Sequence, residues 1–291
     1  MKVWLNGEIV DAHEARVPLL DRGLLYGDGL FETFRTYGGR PFALEAHLER
    51  LLSSAAFFNL RVPVNAAALR RAIDELLRTN ELTDAGVRLT VTRGPSSGPL
   101  GLPEPASPNV FIHPRRLPIY PEELYRQGMK LVTSSVTRNG GSPASRHKTL
   151  NYMDSLLARQ QAQERGADEA LMLDESGQVA ECATANVFAA VDGAVLTPSL
   201  KSPILAGVTR AIVLDCCRER AIPVRQESFD PVKLRQAEEV FLTNSLMELM
   251  PVTLFDGVPV GSGRPGPVVE SLSRMYRSRV RRECEQPGRP E

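Results

Sequence analysis

Apolar residues recur at helical spacing in one stretch of the chain, and two further helices are predicted later in the sequence. The first predicted helix covers residues 43–58, with Arg50 off its apolar stripe. That stripe consists of Leu44, Leu48, Leu51, Leu52 and Ala55. A second helix is predicted from a capping-box variant at Asn151 to about Arg165, and a third over residues 208–220.

Short apolar runs predict strands on either side of the first helix and throughout the second half of the chain. Asn6-Gly7 is a favoured two-residue turn between strands at residues 3–5 and 8–10. Residues 87–93 alternate, so that Val87, Leu89, Val91 and Arg93 share one face. Strands are also predicted at residues 131–137 and 240–243. Between these two, four further runs predict an antiparallel meander: Ala170–Leu173, Val179–Cys182, Asn186–Val191 and Val195–Thr197.

The mixture of strands and helices indicates an α+β architecture in two domains. The 291 residues are about twice the ~150 that are typical of one domain. Three prolines between residues 114 and 121 predict an extended linker, and the Gly-, Pro- and Ser-rich residues 94–108 predict a long loop. We therefore expect a small domain (residues 1–117), a linker (118–121), a large domain (122–284) and a disordered tail (285–291).

Composition excludes several classes of function. Lys and Arg number 35 and Asp and Glu also 35, which argues against nucleic acid as a partner. No apolar run approaches the ~20 residues that span a bilayer, and the N-terminus lacks the apolar core of a secretory signal. The four cysteines lack the spacing of a disulfide framework, and no two of the four histidines have metal-ligand spacing. We expect a cytoplasmic protein with no metal and no membrane contact.

Four short segments of the chain could carry chemistry, although each also has an ordinary structural explanation. Lys148 precedes a predicted helix and could simply lie on the surface; Schiff-base chemistry would require burial or neighbouring cations. Glu181 lies on a predicted strand, either exposed at an edge or buried with a partner such as a pyridinium nitrogen. Val208 and Thr209 open a helix whose N–H groups could bind phosphate. Asn244 and Ser245 offer two short hydrogen-bonding side chains where a predicted strand ends, but turn propensity explains this pair equally well.

Six motifs, taken in order, resemble the fold-type IV pyridoxal-phosphate enzymes, also called class IV aminotransferases. They are Gly27–Thr33 (GDGLFET), His47–Leu51 (HLERL), His147–Tyr152 (HKTLNY), Glu181–Phe188 (ECATANVF), Thr197–Arg210 and Thr243–Val252. The resemblance implies a two-domain α+β fold like that of D-amino-acid aminotransferase, with a small α/β domain and a larger antiparallel-sheet, pseudo-barrel domain. It also implies pyridoxal 5′-phosphate as the cofactor and a homodimer.

The resemblance also implies roles for individual residues. Lys148 would bind the cofactor as a Schiff base and move the substrate proton, and Glu181 would pair with the cofactor's ring nitrogen. Tyr152 would approach its phenolic oxygen. The remaining cofactor contacts, mainly with the phosphate, would come from Arg50, Val208, Thr209, Asn244 and Ser245. Substrate contacts would come from Phe31, Arg93 and Asn244.

The motifs favour one reaction and leave a second open. Leu89–Arg93 lacks the Tyr-x-Arg signature of branched-chain aminotransferases, and Pro95-Ser96 replaces the Arg and His that follow Arg-Gly in D-amino-acid aminotransferases. Arg93-Gly94 and Thr243–Met247 look most like aminodeoxychorismate lyase, which forms 4-aminobenzoate and pyruvate in folate biosynthesis. The alternative is a branched-chain or D-amino-acid aminotransferase that transfers an amino group to a 2-oxo acid. Lys148 and Glu181 argue against a binding protein without activity.

Overall fold

The computed structural model describes residues 1–96, 100–101, 107–117 and 120–284. The chain divides into two compact units. The first unit comprises Met1–Pro118, Lys148–Asn151 and Val280–Glu291, and the second comprises Ile119–His147 and Tyr152–Arg279. This division differs from the expected boundaries at residues 148–151 and 280–284, which group with the first unit. Residues 118 and 119 of the expected linker and the expected tail lie outside the described residues.

The first unit combines a six-stranded sheet with three helices. Its strands are β1 (Lys2–Leu5), β2 (Glu8–Asp11), β3 (Gly29–Tyr37), β4 (Arg40–Pro41), β5 (Ala85–Thr92) and β6 (Val110–Arg116). Its helices are α1 (Arg22–Tyr26), α2 (Leu44–Phe57) and α3 (Ala66–Thr79). The sheet order is β2-β1-β6-β5-β3-β4, and every neighbouring pair is antiparallel.

Alternation along β5 explains how this unit forms its core. Val87, Leu89 and Val91 are at most 1% exposed and belong to one apolar cluster with residues of α2 and α3. Because successive side chains of a strand point to opposite faces, Arg88 and Thr90 lie on the other side of the sheet. The structure confirms the predicted hairpin and the predicted helix at residues 43–58. The expected linker is wrong at Pro114, which lies in β6 opposite Val87.

The second unit is built on a nine-stranded sheet. Its strands are β7 (Met129–Thr133), β8 (Glu169–Leu173), β9 (Val179–Cys182), β10 (Asn186–Val191), β11 (Ala194–Thr197), β12 (Val224–Gln226), β13 (Glu239–Asn244), β14 (Glu248–Phe255) and β15 (Val258–Pro259). Its helices are α4 (Glu122–Gln127), α5 (Met153–Glu164), α6 (Val208–Glu219), α7 (Pro231–Arg235) and α8 (Pro267–Cys284), whose last turn groups with the first unit. A 3₁₀ turn covers Pro143–Arg146. Both units mix helices with a sheet, which confirms the α+β class.

The strand order of this sheet corrects the predicted meander. The order is β12-β11-β10-β13-β14-β7-β8-β9, with β15 paired to β14. The four runs form strands, but β13, β14 and β7 separate β10 from the β8–β9 hairpin. β7 is parallel to both β14 and β8, and β11 is parallel to β12, so the sheet is mixed rather than antiparallel. Local runs predicted the strands, whereas pairing between distant segments decided their order.

The predicted capping box at the start of α5 is also wrong. The residue that precedes this helix is Tyr152, and no side chain caps it. Asn151 groups with the first unit, where its Nδ2 donates to the carbonyl oxygen of Gly27 at 3.2 Å. The side chain therefore fixes the turn before β3 instead of capping α5.

Two chain-wide features concern the environment of the protein. Among the helices of the described residues, none combines the length and the apolar character that a membrane span requires. All four cysteines are free and buried.

Candidate active site

Lys148 is held by backbone pairing with β3 in the first unit. The N–H of Phe31 donates to the carbonyl oxygen of Lys148 at 2.9 Å, and the N–H of Leu150 donates to that of Gly29 at 3.0 Å. Thr149 forms an isolated bridge with Leu30. The lysine thus lies on a short segment that pairs with the start of β3, and this pairing fixes the position of its backbone.

Two cations lie against the ring of Phe31. The Nζ of Lys148 is 4.4 Å from the ring centroid, and the Cζ of Arg88 is 3.5 Å from it. Phe31 itself is only 4% exposed. Both distances are within the range of cation–π contacts. This arrangement gathers positive charge beside an apolar ring, as an anionic ligand with an apolar portion requires.

Arg88 is a residue of this site that the sequence motifs did not single out. A signal was present, because Arg88 lies between Val87 and Leu89 on the opposite face of the predicted strand. An arginine on that face, with apolar residues on the other, marks the side of the sheet that is not core.

Arg50 makes a paired contact with a buried carboxylate. Its Nε donates to Oε1 of Glu32 at 2.8 Å, and its Nη2 donates to Oε2 at 2.6 Å. Nδ1 of His47 lies 2.7 Å from Oε2 of the same carboxylate. Burial alone would raise the pKa of Glu32, but the charge of Arg50 and the hydrogen bond from His47 lower it to about 2. Burial lowers the pKa of His47, so this pair consists of a carboxylate and a neutral imidazole.

The structure gives Arg93 a different task from the expected contact with substrate. Its Nε donates to Oδ2 of Asp28 at 2.8 Å. Its Nη1 and Nη2 donate to the carbonyl oxygens of Asn59 and Phe58 at 2.9 and 3.0 Å. Arg22 donates to the same oxygen of Asp28. Arg93 therefore joins the end of α2 to the turn before β3, a structural use that differs from the expected contact with substrate.

Glu181 lies in the second unit and is nearly buried, with an exposed fraction of 8%. Its Oε1 forms an ion pair with Nη2 of Arg138 at 2.8 Å. Its Oε2 accepts the N–H of Leu205 at 3.0 Å and Nδ2 of Asn186 at 3.2 Å. Of the two alternatives for Glu181, the buried one is confirmed, and its partners within this unit are residues to which the sequence motifs gave no role. A carboxylate held on both oxygens has a fixed orientation.

The start of α6 forms a cradle beside Glu181. Gly207 precedes the helix in an extended conformation, and no side chain caps the first turn. A Cβ atom on Gly207 would lie 2.0 Å from Oδ1 of Asn186, so only glycine allows this approach. Val208 and Thr209 are buried at the positive end of the helix dipole. These features fit a coenzyme that carries both a ring nitrogen and a phosphate.

The remaining predicted positions lie at element ends. Asn244 uses its side chain within the turn after β13: Oδ1 accepts the N–H groups of Leu246 and Met247 at 2.9 Å, and Nδ2 donates to Thr184. This structural use differs from the expected ligand contacts. Ser245 follows in the same turn, and Tyr152 precedes α5, both half-buried.

Two further properties of the site limit its chemistry. Burial raises the pKa of the Cys182 thiol well above its usual range, and the charges of Glu169 and Glu181 add to this effect, so the thiol stays protonated. In the part of the chain that the structure describes, no group of three His, Cys, Asp or Glu side chains is placed to hold a metal ion.

Comparisons with known proteins point to one family. Residues 29–255 match the model of the family described as amino-transferase class IV. A provisionally named branched-chain-amino-acid aminotransferase of Methanocaldococcus jannaschii is 37% identical over 280 residues, which cover 95% of this chain and 96% of the relative. A D-alanine aminotransferase of Listeria innocua is 33% identical over 300 residues, with 98% of each chain covered.

Solved structures give a second measure of similarity. A branched-chain amino acid aminotransferase from T.th., solved with pyridoxamine 5′-phosphate, has a TM-score of 0.90 and 33% identity, covering 98% of this chain and 96% of that one. A provisionally named 4-amino-4-deoxychorismate lyase of Legionella pneumophila has a TM-score of 0.85 and 25% identity, covering 92% and 97%. The aminotransferases are thus more similar to this chain than the lyase, the reverse of the order that the motifs favoured.

Proposed function

The chain belongs to the class IV aminotransferase family, and on that premise we propose that it transfers the amino group of a branched-chain amino acid to a 2-oxo acid. Family membership makes it an enzyme that uses pyridoxal 5′-phosphate. The aminotransferase alternative therefore takes precedence over the lyase reaction. Formation of 4-aminobenzoate becomes an outcome of the test described below.

The observation that carries the proposal is Arg88 against Phe31, beside Lys148. Both substrates of an aminotransferase carry a carboxylate, and a guanidinium binds a carboxylate with two parallel hydrogen bonds. Arg88 is a cation on the same ring as the reactive amine, whereas Arg93 is bound elsewhere. β5 thus carries an arginine one residue before the segment in which the Tyr-x-Arg signature was expected. The buried ring of Phe31 suits an apolar side chain.

The chain's own residues account for binding and proton transfer. When bound, pyridoxal 5′-phosphate supplies an electron sink for the bond broken at the substrate Cα. The Nζ of Lys148 would hold the coenzyme at its aldehyde carbon and, once displaced by the incoming substrate amine, would move the proton from the substrate Cα. The carboxylate of Glu181, fixed by Arg138 and Asn186, would accept the N–H of the pyridine ring.

The family resemblance assigns phosphate binding to residues of several motifs. The N–H groups of Val208 and Thr209 would donate to the phosphate at the helix N-terminus, and Arg50 would supply a guanidinium. By the same resemblance, Tyr152 would approach the phenolic oxygen of the coenzyme, and Ser245 would contribute its hydroxyl. These assignments follow from the family resemblance and are supported by the burial of Val208 and Thr209 and the uncapped start of α6.

The proposal is tested by supplying single amino donors to the protein and recording the absorbance of the bound coenzyme. L-Leucine with 2-oxoglutarate as acceptor should convert the coenzyme and produce glutamate. Conversion by D-alanine instead would favour the second candidate, a D-amino-acid aminotransferase, which the similarity to the Listeria innocua enzyme supports. Release of 4-aminobenzoate from aminodeoxychorismate, without conversion by either amino acid, would restore the lyase.

A matched pair of variants tests the role of Arg88. Arg88→Leu should lower kcat/KM for L-leucine by about 10- to 100-fold, since a charge-assisted hydrogen bond contributes ~1.5–3 kcal/mol. Arg115→Leu, an exposed arginine on β6, should leave it unchanged. Equal effects of the two substitutions would contradict a substrate contact by Arg88.

We also propose that the protein forms a homodimer. The first unit exposes Leu19 (77%) and Leu24 (66%), and the second exposes Met153 (66%) and Leu156 (59%). Exposed large apolar side chains that lie close together in sequence favour an association surface on each unit. Sedimentation should give twice the monomer mass, and Leu24→Lys with Leu156→Lys should shift the equilibrium to monomer.

The cytoplasm is the proposed location. Four free, buried thiols are typical of a protein that stays in a reducing compartment. Fractionation of cells that express a tagged full chain should recover it with cytoplasmic markers.

A further inference from the structure

Two charged or titratable residues of the first two motifs have no role in the function described so far. Glu32 belongs to GDGLFET and His47 to HLERL, and both are only 1% exposed. They meet at the carboxylate of Glu32, which Arg50 contacts with two donors. We call Glu32, His47 and Arg50 the Glu32 triad.

The triad fixes one edge of the Arg50 guanidinium. A guanidinium has one edge formed by Nε and Nη2 and another formed by Nη1 and Nη2. Arg50 gives the first edge to Glu32, with Nε and Nη2 at 2.8 and 2.6 Å. A carboxylate accepts hydrogen bonds, so Nδ1 of His47 donates to Glu32 and holds it in place. The second edge is thereby turned away from Glu32 in a defined direction.

Stability alone gives little reason to keep such a triad. Removing a carboxylate and a guanidinium from water is costly, and well-packed apolar residues are often as stable as a buried ion pair. Orientation of a charged group is a more specific benefit. The guanidinium of Arg50 keeps some access to solvent, with 15% of its side chain exposed, while the side chains of Glu32 and His47 are 1% and 2% exposed.

The triad is connected to the Lys148 segment through β3. Phe31, which precedes Glu32, donates its N–H to the carbonyl oxygen of Lys148, and the Nζ of that lysine lies 4.4 Å from the Phe31 ring centroid. The charge of Lys148 contributes to the lowered pKa of His47, after burial and the charge of Arg50. His47 is therefore within electrostatic range of Lys148, the residue proposed to hold the coenzyme.

We propose that Glu32 and His47 are positioning residues that hold the Arg50 guanidinium for the phosphate of the coenzyme. The inference rests on the proposed phosphate contact of Arg50 and extends it to the two residues behind it. It predicts that the triad contributes to binding of the phosphorylated coenzyme and not of its unphosphorylated form.

The test compares dissociation constants of pyridoxal 5′-phosphate and pyridoxal for the purified protein after removal of its coenzyme. Arg50→Met should weaken pyridoxal 5′-phosphate by about 100-fold and Glu32→Gln by about tenfold, from the ~1.5–3 kcal/mol of a charge-assisted hydrogen bond. Pyridoxal should bind within about twofold of wild type in both variants. Glu32→Gln should add nothing once Arg50→Met is present, because residues that act through one contact are not additive.

A second pair of variants keeps the test decisive if Glu32→Gln does not fold. His47→Leu removes the donor to Glu32, and His47→Asn retains an N–H near the position of Nδ1. His47→Leu should weaken pyridoxal 5′-phosphate selectively, and His47→Asn should restore most of the affinity.

The outcomes separate this inference from the function on which it rests. If Arg50→Met weakens both ligands equally or neither, the phosphate role of Arg50 is wrong. If Arg50→Met is selective but the Glu32 and His47 variants weaken both ligands alike, the phosphate role stands and the positioning role is overturned. Selective loss in all three, with rescue by His47→Asn, supports the inference.

Discussion

A methyl group on Gly207 should disturb the carboxylate of Glu181, because Asn186 lies between the two residues. The Cβ of Gly207→Ala would lie 2.0 Å from Oδ1 of Asn186, so one of the two groups has to move. Asn186 is 6% exposed and donates Nδ2 to both Glu181 and the carbonyl oxygen of Leu205. Overpacking costs ~1–3 kcal/mol and each lost hydrogen bond ~1 kcal/mol, so the free energy of unfolding should fall by about 2–5 kcal/mol.

Urea unfolding of the coenzyme-free protein measures this loss, and a double mutant isolates its cause. Gly101→Ala is the control, because no described atom lies within 4 Å of its Cβ, and it should change stability little. In an Asn186→Ala background the clashing oxygen is absent, so Gly207→Ala should cost less than ~1 kcal/mol there. Equal effects of Gly207→Ala in both backgrounds, or no difference from Gly101→Ala, would refute the reasoning.

Three further predictions concern other charged groups. The Glu32 carboxyl has a pKa of about 2 in the folded protein and an ordinary value of 4.5 in the unfolded chain, so its contribution to stability should be lost as pH falls through that interval. Glu32→Gln should therefore flatten the dependence of the free energy of unfolding on pH in that interval. An unchanged curve would contradict the ionised state of Glu32. Arg93→Met should lower the free energy of unfolding in urea by about 2–4 kcal/mol and leave KM for the amino acid constant, because the partners of Arg93 are structural. A raised KM at unchanged stability would restore the substrate role. Arg138→Met should lower coenzyme affinity about tenfold in a binding titration, because it removes the cation that pairs with Oε1 of Glu181. Arg126→Met, which removes an exposed ion pair, is the control and should leave the affinity unchanged. Equal affinities of the two variants would argue against positioning of Glu181 by Arg138.

Local pattern predicted the elements of this fold better than their pairing. The stripe from Leu44 to Ala55 and the Asn6-Gly7 turn carry their structure in short-range spacing, and both appear as expected. The insertion of β13, β14 and β7 between β10 and β8 depends on contacts between segments far apart in sequence. No local run encodes such contacts, so the meander was the wrong inference.

The candidate site shows the same division between local and distant information. Glu181 could be identified as buried or exposed only once Arg138, Asn186 and Leu205 were seen around it, and these partners are 43, 5 and 24 residues away. The family resemblance assigned Arg93 to substrate, yet Asp28 and the residue after α2 accept hydrogen bonds from its guanidinium. Arg88 was overlooked because its strand was interpreted from its apolar face alone.

Covalent labelling of Lys148 is the most direct test of the proposed coenzyme chemistry. The protein is incubated with pyridoxal 5′-phosphate, reduced with borohydride and digested, and the modified peptide is identified by mass spectrometry. We predict one pyridoxyl group per chain, on Lys148, and none on Lys130 of the second unit or in a Lys148→Ala variant. An unmodified Lys148 in protein that has taken up coenzyme would contradict this prediction.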